Sequence, residues 1–288
     1  MANKTPRDKA KLVTRLKRSP AYQVAYNDFD FLSQDYSRPF RLQLELMKPE
    51  ILLQQEKIRS TIVVFGGTRI VEPKEAREAV RKLENRLRRQ PDDARMKKEL
   101  RIAKSILAKS HYYDESREFG RLVSQESQLN HNHEFVIITG GGPGVMEAAN
   151  RGAFDMGAKT IGMNITLPLE QQPNPYITPE LCFQFHYFAI RKMHFMLRAK
   201  ALVAFPGGYG TLDELFEALT LVQTKKVKPL PIVLFGENYW RRLINFDYLV
   251  QQGTIAPEDV ELFVYTDKAA DAWNYIKYFH KLPNDYSG

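Results

Sequence analysis

The stretch Ala201-Leu-Val-Ala-Phe-Pro-Gly-Gly-Tyr-Gly-Thr-Leu-Asp-Glu214 decides the fold. Its first five residues form a continuous apolar run of the kind a strand buried on both faces requires. Pro206, Gly207, Gly208 and Gly210 end the strand, and residues 211–224 read as a helix. The same order recurs outward in both directions. Thr61 to Phe65 stops at Gly66-Gly67, Phe135 to Ile138 stops at Gly140-Gly141-Gly142, and Pro231 to Phe235 stops at Gly236. Shorter apolar runs lie at Lys159–Met163 and Leu262–Tyr265. Helical patterns fill the intervals 113–130, 143–157, 186–200, 238–252 and 267–280. Strands alternating with helices predict an α/β fold, a Rossmann-like doubly wound parallel sheet with helices on both faces.

Two segments stand outside this rhythm. Residues 74–110 fall between the first strand and the helix that should follow it. Val80, Leu83 and Leu87 share one helix face, Met96, Leu100, Ala103 and Leu107 another, and Gln90-Pro91-Asp92 separates them. This predicts an inserted helical hairpin, with Asp92 placed to cap its second helix. The N-terminal part is polar and basic up to Ser19-Pro20, and residues 39–57 carry a helical apolar spacing. The expected organisation is a helical leader (1–58), a Rossmann-like body (59–282) carrying the hairpin, and a tail (283–288).

The chain has 288 residues, with 42 Lys and Arg against 34 Asp and Glu, a net charge of +8. That balance invites a polyanionic partner, but its location argues otherwise. Residues 1–18 net +6 and residues 74–110 net +7, which leaves −5 for the rest. On the hairpin most cations interleave with acids, as on a solvated helix. No aromatic–basic reader motif accompanies them, so nucleic acid is not the expected partner. One cysteine, Cys182, excludes an intramolecular disulfide and suits a reducing, cytoplasmic compartment. No apolar run approaches the roughly 18 residues of a membrane span. His131 and His133 are the only close histidine pair, and nothing joins them, so no metal site is expected.

The glycine-rich turns carry the chemistry. Glycine lets backbone approach a ligand, and a helix start behind it offers N–H groups and a positive dipole end, which suits a phosphate. Thr211 could cap that helix or donate a hydroxyl. The Thr211–Glu214 spacing also fits a capping box, the bland alternative for Glu214. The second turn runs from Thr139 through Gly140, Gly141, Gly142 and Gly144 to Glu147; the third is Phe65-Gly-Gly-Thr-Arg69. None is a Walker loop or a dinucleotide fingerprint. Three such turns at one sheet edge mark the place where open α/β sheets bind ligands. Arg191 and Lys192 open the helix before the Ala201 strand amid Phe185, Tyr187, Phe188, Phe195 and Met196. Taken alone they read first as solvated cations of an amphipathic helix.

Pro206-Gly-Gly-Tyr-Gly-Thr-Leu-Asp-Glu214 resembles the PGGxGTxxE signature of the Lonely Guy (LOG) family, whose members include cytokinin riboside 5′-monophosphate phosphoribohydrolases and chains once labelled lysine decarboxylases. Arg191-Lys192 stands where that family has its Arg-Lys pair. Gly140 to Gly152, Asn164, Pro173-Asn-Pro-Tyr176 and Phe216 to Leu221 resemble its longer, type-II-like bacterial branch. The likeness spans about residues 61–270. The family often reads Met-His-x-Arg-Lys, where this chain has Phe188-Ala-Ile-Arg-Lys192. The resemblance implies hydrolysis of a nucleoside 5′-monophosphate, AMP or a cytokinin riboside monophosphate, to free base and ribose 5-phosphate, without a cofactor or metal. It implies Arg191 and Glu214 as catalytic residues, and Gly207, Gly208, Gly210 and Thr211 around the phosphate. Gly66, Gly67, Thr68, Gly140, Gly141, Gly142, Gly144, Glu147 and Lys192 would line the nucleotide. Glu147 reads equally as a first-turn acid stabilised by its own helix dipole. It also implies a homo-oligomer. Three other readings stay open on the residues: a nucleotide-binding module without turnover, a pyridoxal-phosphate decarboxylase, for which no lysine stands at a strand end, and a nucleic-acid binder.

Overall fold

The computed structural model describes residues 6–128, 133–168 and 172–282. The expected tail 283–288, the first five residues of the leader and His131 lie outside the described residues. The chain divides into two compact units, Met1–Lys48 and Pro49–Gly288. The first holds α1 (Pro6–Lys17), the short α2 (Phe29–Ser33) and most of α3 (Arg38–Gln55), which contains the division. Asp28 caps α2 by accepting the Phe31 N–H at 2.9 Å.

In the second unit the elements run β1 (Thr61–Phe65), α4 (Pro73–Arg89), α5 (Ala94–Lys109), α6 (His111–Gln128), β2 (Val136–Thr139), α7 (Val145–Asp155) and β3 (Thr160–Ile165). They continue with β4 (Cys182–Phe185), α8 (Phe188–Leu197), β5 (Ala199–Ala204), α9 (Tyr209–Gln223), β6 (Ile232–Phe235), α10 (Glu237–Leu243), α11 (Phe246–Gln251), β7 (Phe263–Thr266) and α12 (Ala269–His280). The seven strands form one parallel sheet in the order β4-β3-β2-β1-β5-β6-β7.

Side-chain alternation along β1 explains why its sequence is apolar from Ile62 to Phe65. Ile62 and Val64 face a core with Phe119 of α6, Val145 of α7 and Trp273 of α12. Val63 and Phe65 face a second core with Phe195 of α8, Leu215 of α9 and Trp240 of α10. With helices on both faces, neither side of the strand is left to polar residues. The strand order reverses between β1 and β5, so the crevice at their carboxyl ends is the switch point of the sheet.

The hairpin forms as α4 and α5, which pack together with Ala76, Val80 and Ala103 buried and are joined by an ion pair between Lys104 and Glu84 at 2.8 Å. Its cap is Asp93, one residue beyond the expected Asp92; the Asp93 side chain accepts the Met96 N–H at 2.9 Å. Two further expectations are corrected. The pattern over 238–252 is not one helix: α10 ends at Leu243, and Asn245 caps α11 by accepting from Tyr248 at 3.0 Å. β4 is a strand that no apolar run announced. It is an edge strand with Cys182 and Gln184 exposed between buried Phe183 and Phe185, so its sequence alternates. Among the described residues no helix is long and apolar enough to cross a membrane, and no group of three or more His, Cys, Asp and Glu could hold a metal ion.

Candidate active site

The three glycine turns are tied to one another. The Gly67 N–H donates to the Pro206 carbonyl at 2.8 Å, and the Val145 N–H donates to the Gly67 carbonyl at 3.3 Å. The turn after β1 is therefore held between the other two. Glycine is required where the chains cross. A Cβ on Gly66 would stand 2.5 Å from Val145 Cγ1, and one on Gly144, at φ +77°, would stand 2.4 Å from the Gly67 carbonyl oxygen. The turn after β2 is fixed from its other side by Asn174, whose N–H donates to the Gly141 carbonyl at 2.8 Å and whose side chain donates to the Gly142 carbonyl at 3.1 Å. The same side chain donates to Asn150 Oδ1 at 3.0 Å, which also accepts from the Thr139 hydroxyl at 2.7 Å. This buried polar network gives the Pro173–Tyr176 stretch its structural role.

These turns border a cavity of about 360 Å³. Gly66, Gly67, Thr68 and Gly140 line it on one side; Gly208, Gly210, Thr211, Arg191 and Glu214 line it on the other. The structure thus brings together nine of the residues expected at a nucleotide. Phe65, Met146, Asn164, Ile165, Leu167, Phe188 and Tyr209 complete the lining. Apart from the motif positions Met146, Asn164 and Tyr209, the strand-end Phe65 and the aromatic context of Phe188, sequence reasoning had no signal for them. They converge from β1, β3, the loop after it, α7, α8 and α9.

α9 begins two residues earlier than its pattern suggested. Gly208 is its N-cap and Tyr209 its first residue, so Thr211 lies inside the first turn and the expected capping box does not form. The Thr211 side chain instead packs on Gly207, where a Cβ would meet Thr211 Oγ1 at 2.1 Å. The first intrahelical bond runs from Leu212 N–H to Gly208 C=O at 3.1 Å. The amides of Tyr209, Gly210 and Thr211 precede it and stand at the cavity wall with the positive end of the helix dipole, a cradle for an anion. Gly207 lies behind the cradle, its carbonyl accepting from the Tyr239 hydroxyl at 2.6 Å.

Glu214 sits deeper along the same helix and is 6% exposed. Its Oε1 lies 3.6 Å from an Arg191 terminal nitrogen. The guanidinium is packed near two rings, 5.0 Å from the Phe188 centroid and 5.6 Å from that of Phe195. Its Nε has no hydrogen-bond partner among the described residues. Burial pushes the Glu214 carboxyl up to about 7, against the opposing pull of Lys192 and Arg191. Burial also pushes the Arg191 guanidinium below its ordinary value, opposed by Glu214 and Asp213. A buried carboxyl poised near neutrality beside a planar cation is suited to general acid–base work.

Two expected nucleotide ligands stand elsewhere. Glu147, in the first turn of α7, accepts from the Tyr113 hydroxyl at 3.1 Å, and that hydroxyl also receives Arg151 at 3.4 Å. Lys192 is engaged by carboxylates of α9 on the outer side of the helix pair. Gly141, Gly142 and Gly144 shape the second turn from behind the cavity wall.

A family model described as "Possible lysine decarboxylase" matches residues 146–276. Two Arabidopsis thaliana proteins, both named cytokinin riboside 5′-monophosphate phosphoribohydrolase, are 30% and 31% identical over 169 residues. The alignments cover 57% of this chain and 73% and 74% of the relatives. Among solved structures, the molybdenum cofactor carrier protein of Chlamydomonas reinhardtii aligns over 77% of this chain and 99% of its own, at 17% identity and a TM-score of 0.44, a likeness too distant to argue from. The matched span 146–276 contains α8, β5 and α9, hence both Arg191 and Glu214 and the glycine turn between them. On that match and on relatives covered over nearly three quarters of their length, the chain belongs to the Lonely Guy family of phosphoribohydrolases.

Proposed function

We propose that this chain hydrolyses the N-glycosidic bond of a nucleoside 5′-monophosphate, AMP or a cytokinin riboside 5′-monophosphate, releasing the base and ribose 5-phosphate. The observation that carries the reading is the pairing, in one cavity, of the buried Arg191–Glu214 couple with the open amides that start α9. Tyr209 to Thr211 lie three to five residues ahead of Glu214, about 5–7 Å along the helix axis, the scale of one phosphorylated ribose. A 5′-phosphate on those amides sets the anomeric carbon beside the carboxylate.

Cleavage develops positive charge on the ribose as the bond from C1′ to the base nitrogen breaks. The Glu214 carboxylate stabilises that charge and takes a proton from the attacking water, whose oxygen bonds to C1′. The departing nitrogen gains a proton, so the sum is addition of one water across the bond. Arg191, its fork held over aromatic rings, donates to ribose or phosphate oxygens and counters the carboxylate in the resting site. Gly66, Gly67 and Gly140 offer backbone without side chains along the remaining wall, and Thr68 stands beside them.

Incubation with AMP, an N6-prenylated AMP, GMP and pyrimidine monophosphates, with chromatographic detection of free base and ribose 5-phosphate, tests the proposal. Base release by the wild type and its loss in Glu214→Gln are expected. Binding of AMP by calorimetry with no base released from any monophosphate would show a binding module instead. A homo-oligomer is part of the proposal, favoured by the exposed apolar side chains Met193 and Leu197 of α8 and Phe216 of α9; sedimentation of the full chain tests it.

A further inference from the structure

Lys192 follows Arg191 on α8, so its side chain leaves the helix about 100° further round. Arg191 points into the cavity, whereas Lys192 borders a separate groove with Met193 and Leu197. Its ammonium lies 2.7 Å from Glu217 Oε2, 2.9 Å from Asp213 Oδ2 and 3.8 Å from Glu214 Oε2. Glu214 is therefore held at both oxygens, Oε1 by Arg191 from inside the cavity and Oε2 by Lys192 from outside it.

We propose that Lys192 is a positioning residue: it fixes the orientation of the Glu214 carboxylate from the outer face of α8 and α9, favours its ionised form, and touches no part of the nucleotide. Asp213 and Glu217 add negative charge beside Glu214, and Lys192 is the cation that bridges all three carboxylates. With Lys192 removed, Glu214 faces both acids with only Arg191 to oppose burial and like charge. With Glu217 neutralised, one repulsion disappears and the ammonium is free to close on Glu214. The two changes act on Glu214 in opposite directions.

The catalytic part of this inference rests on the proposed hydrolysis; the electrostatic part does not, and the test separates them. The Glu214 carboxyl carbon, labelled with carbon-13 and assigned by its loss in Glu214→Gln, is titrated by NMR in the wild type, Lys192→Met, Lys192→Arg and Glu217→Gln. The midpoint is expected to rise by about 1–3 pH units in Lys192→Met, to stay within about half a unit in Lys192→Arg, and to fall in Glu217→Gln. In the base-release assay with AMP, the acidic limb of the rate profile should move with the midpoint. For Lys192→Met, kcat at pH 7 should drop at least about fivefold, the loss of ionised fraction for a one-unit shift, while KM stays within about twofold. An unmoved midpoint in both Lys192→Met and Glu217→Gln overturns the inference, as does a tenfold rise in KM with the limb unmoved, which would put Lys192 on the nucleotide. If no variant or wild type releases base but the midpoints move as stated, the hydrolase reading fails and the Lys192 assignment stands.

Discussion

Replacing Glu214 by Gln should remove a loss of stability that the wild type suffers as pH rises to neutrality, while removing its activity. An ordinary glutamate titrates near 4.5, and burial pushes Glu214 up to about 7, a difference of about 2.5 pH units. Below pH 4.5 the carboxyl is protonated in the folded and unfolded chains alike and adds no pH dependence. Between 4.5 and about 7 the folded chain keeps a proton that the unfolded chain has released, so stability falls as pH rises. Above about 7 the loss is complete, and at 1.36 kcal/mol per unit it amounts to something on the order of 3 kcal/mol. The carboxylate is 6% exposed, so solvent does little to reduce it. Glutamine cannot ionise and carries none of this dependence. Its weaker pairing with Arg191 and Lys192 shifts the variant's whole curve, because both cations stay charged throughout the range. The quantity to measure is therefore the gap between the wild-type and Glu214→Gln stabilities, from urea unfolding at intervals between pH 4.5 and 8. The gap should move in the variant's favour by on the order of 3 kcal/mol across that range. Parallel curves would show that the carboxyl titrates normally, and would remove the electrostatic argument for Glu214 as the general base.

Two further substitutions test the scaffold under the cavity. Gly66→Ala drives a methyl to 2.5 Å from Val145 Cγ1 and 2.9 Å from Phe205 Cβ, both fully buried, and should cost about 1–3 kcal/mol in chemical denaturation; a neutral result would mean the turns are not locked together. Asn174→Ala leaves the Gly142 carbonyl and Asn150 short of a partner, and should lower stability by about 1–3 kcal/mol and raise KM for AMP more than it lowers kcat, read from thermal unfolding and the base-release assay.

Most of the sheet was legible because its strands are covered on both faces. Ile62 and Val64 serve one core and Val63 and Phe65 the other, so β1 is apolar after Thr61 and announced itself as a run. β4 escaped notice for the opposite reason: at the edge of the sheet, Cys182 and Gln184 face outward and break the run. The break between α10 and α11 carries neither glycine nor proline, and only the Asn245 cap marks it. The start of α9 at Tyr209 rather than Thr211 was hidden because glycines were read as strand end rather than as helix, and the shift changes which amides are open.

The sequence by itself determined the parallel α/β order, the three glycine turns at one edge, the inserted hairpin, the partition of charge, and Arg191 and Glu214 as candidates. Those features are local: apolar runs, turn residues and motif spacing are properties of short stretches. Only the tertiary structure decided which candidates meet. Arg191 and Glu214 are brought within 3.6 Å because α8 and α9 flank β5. One residue along α8, the turn of the helix carries Lys192 out of the cavity to Asp213 and Glu217. Glu147 is spent on Tyr113, from a helix 34 positions earlier in the chain. Spacing along a chain says which side chains share a helix face; which face meets a cavity depends on how the helix is laid against its neighbours.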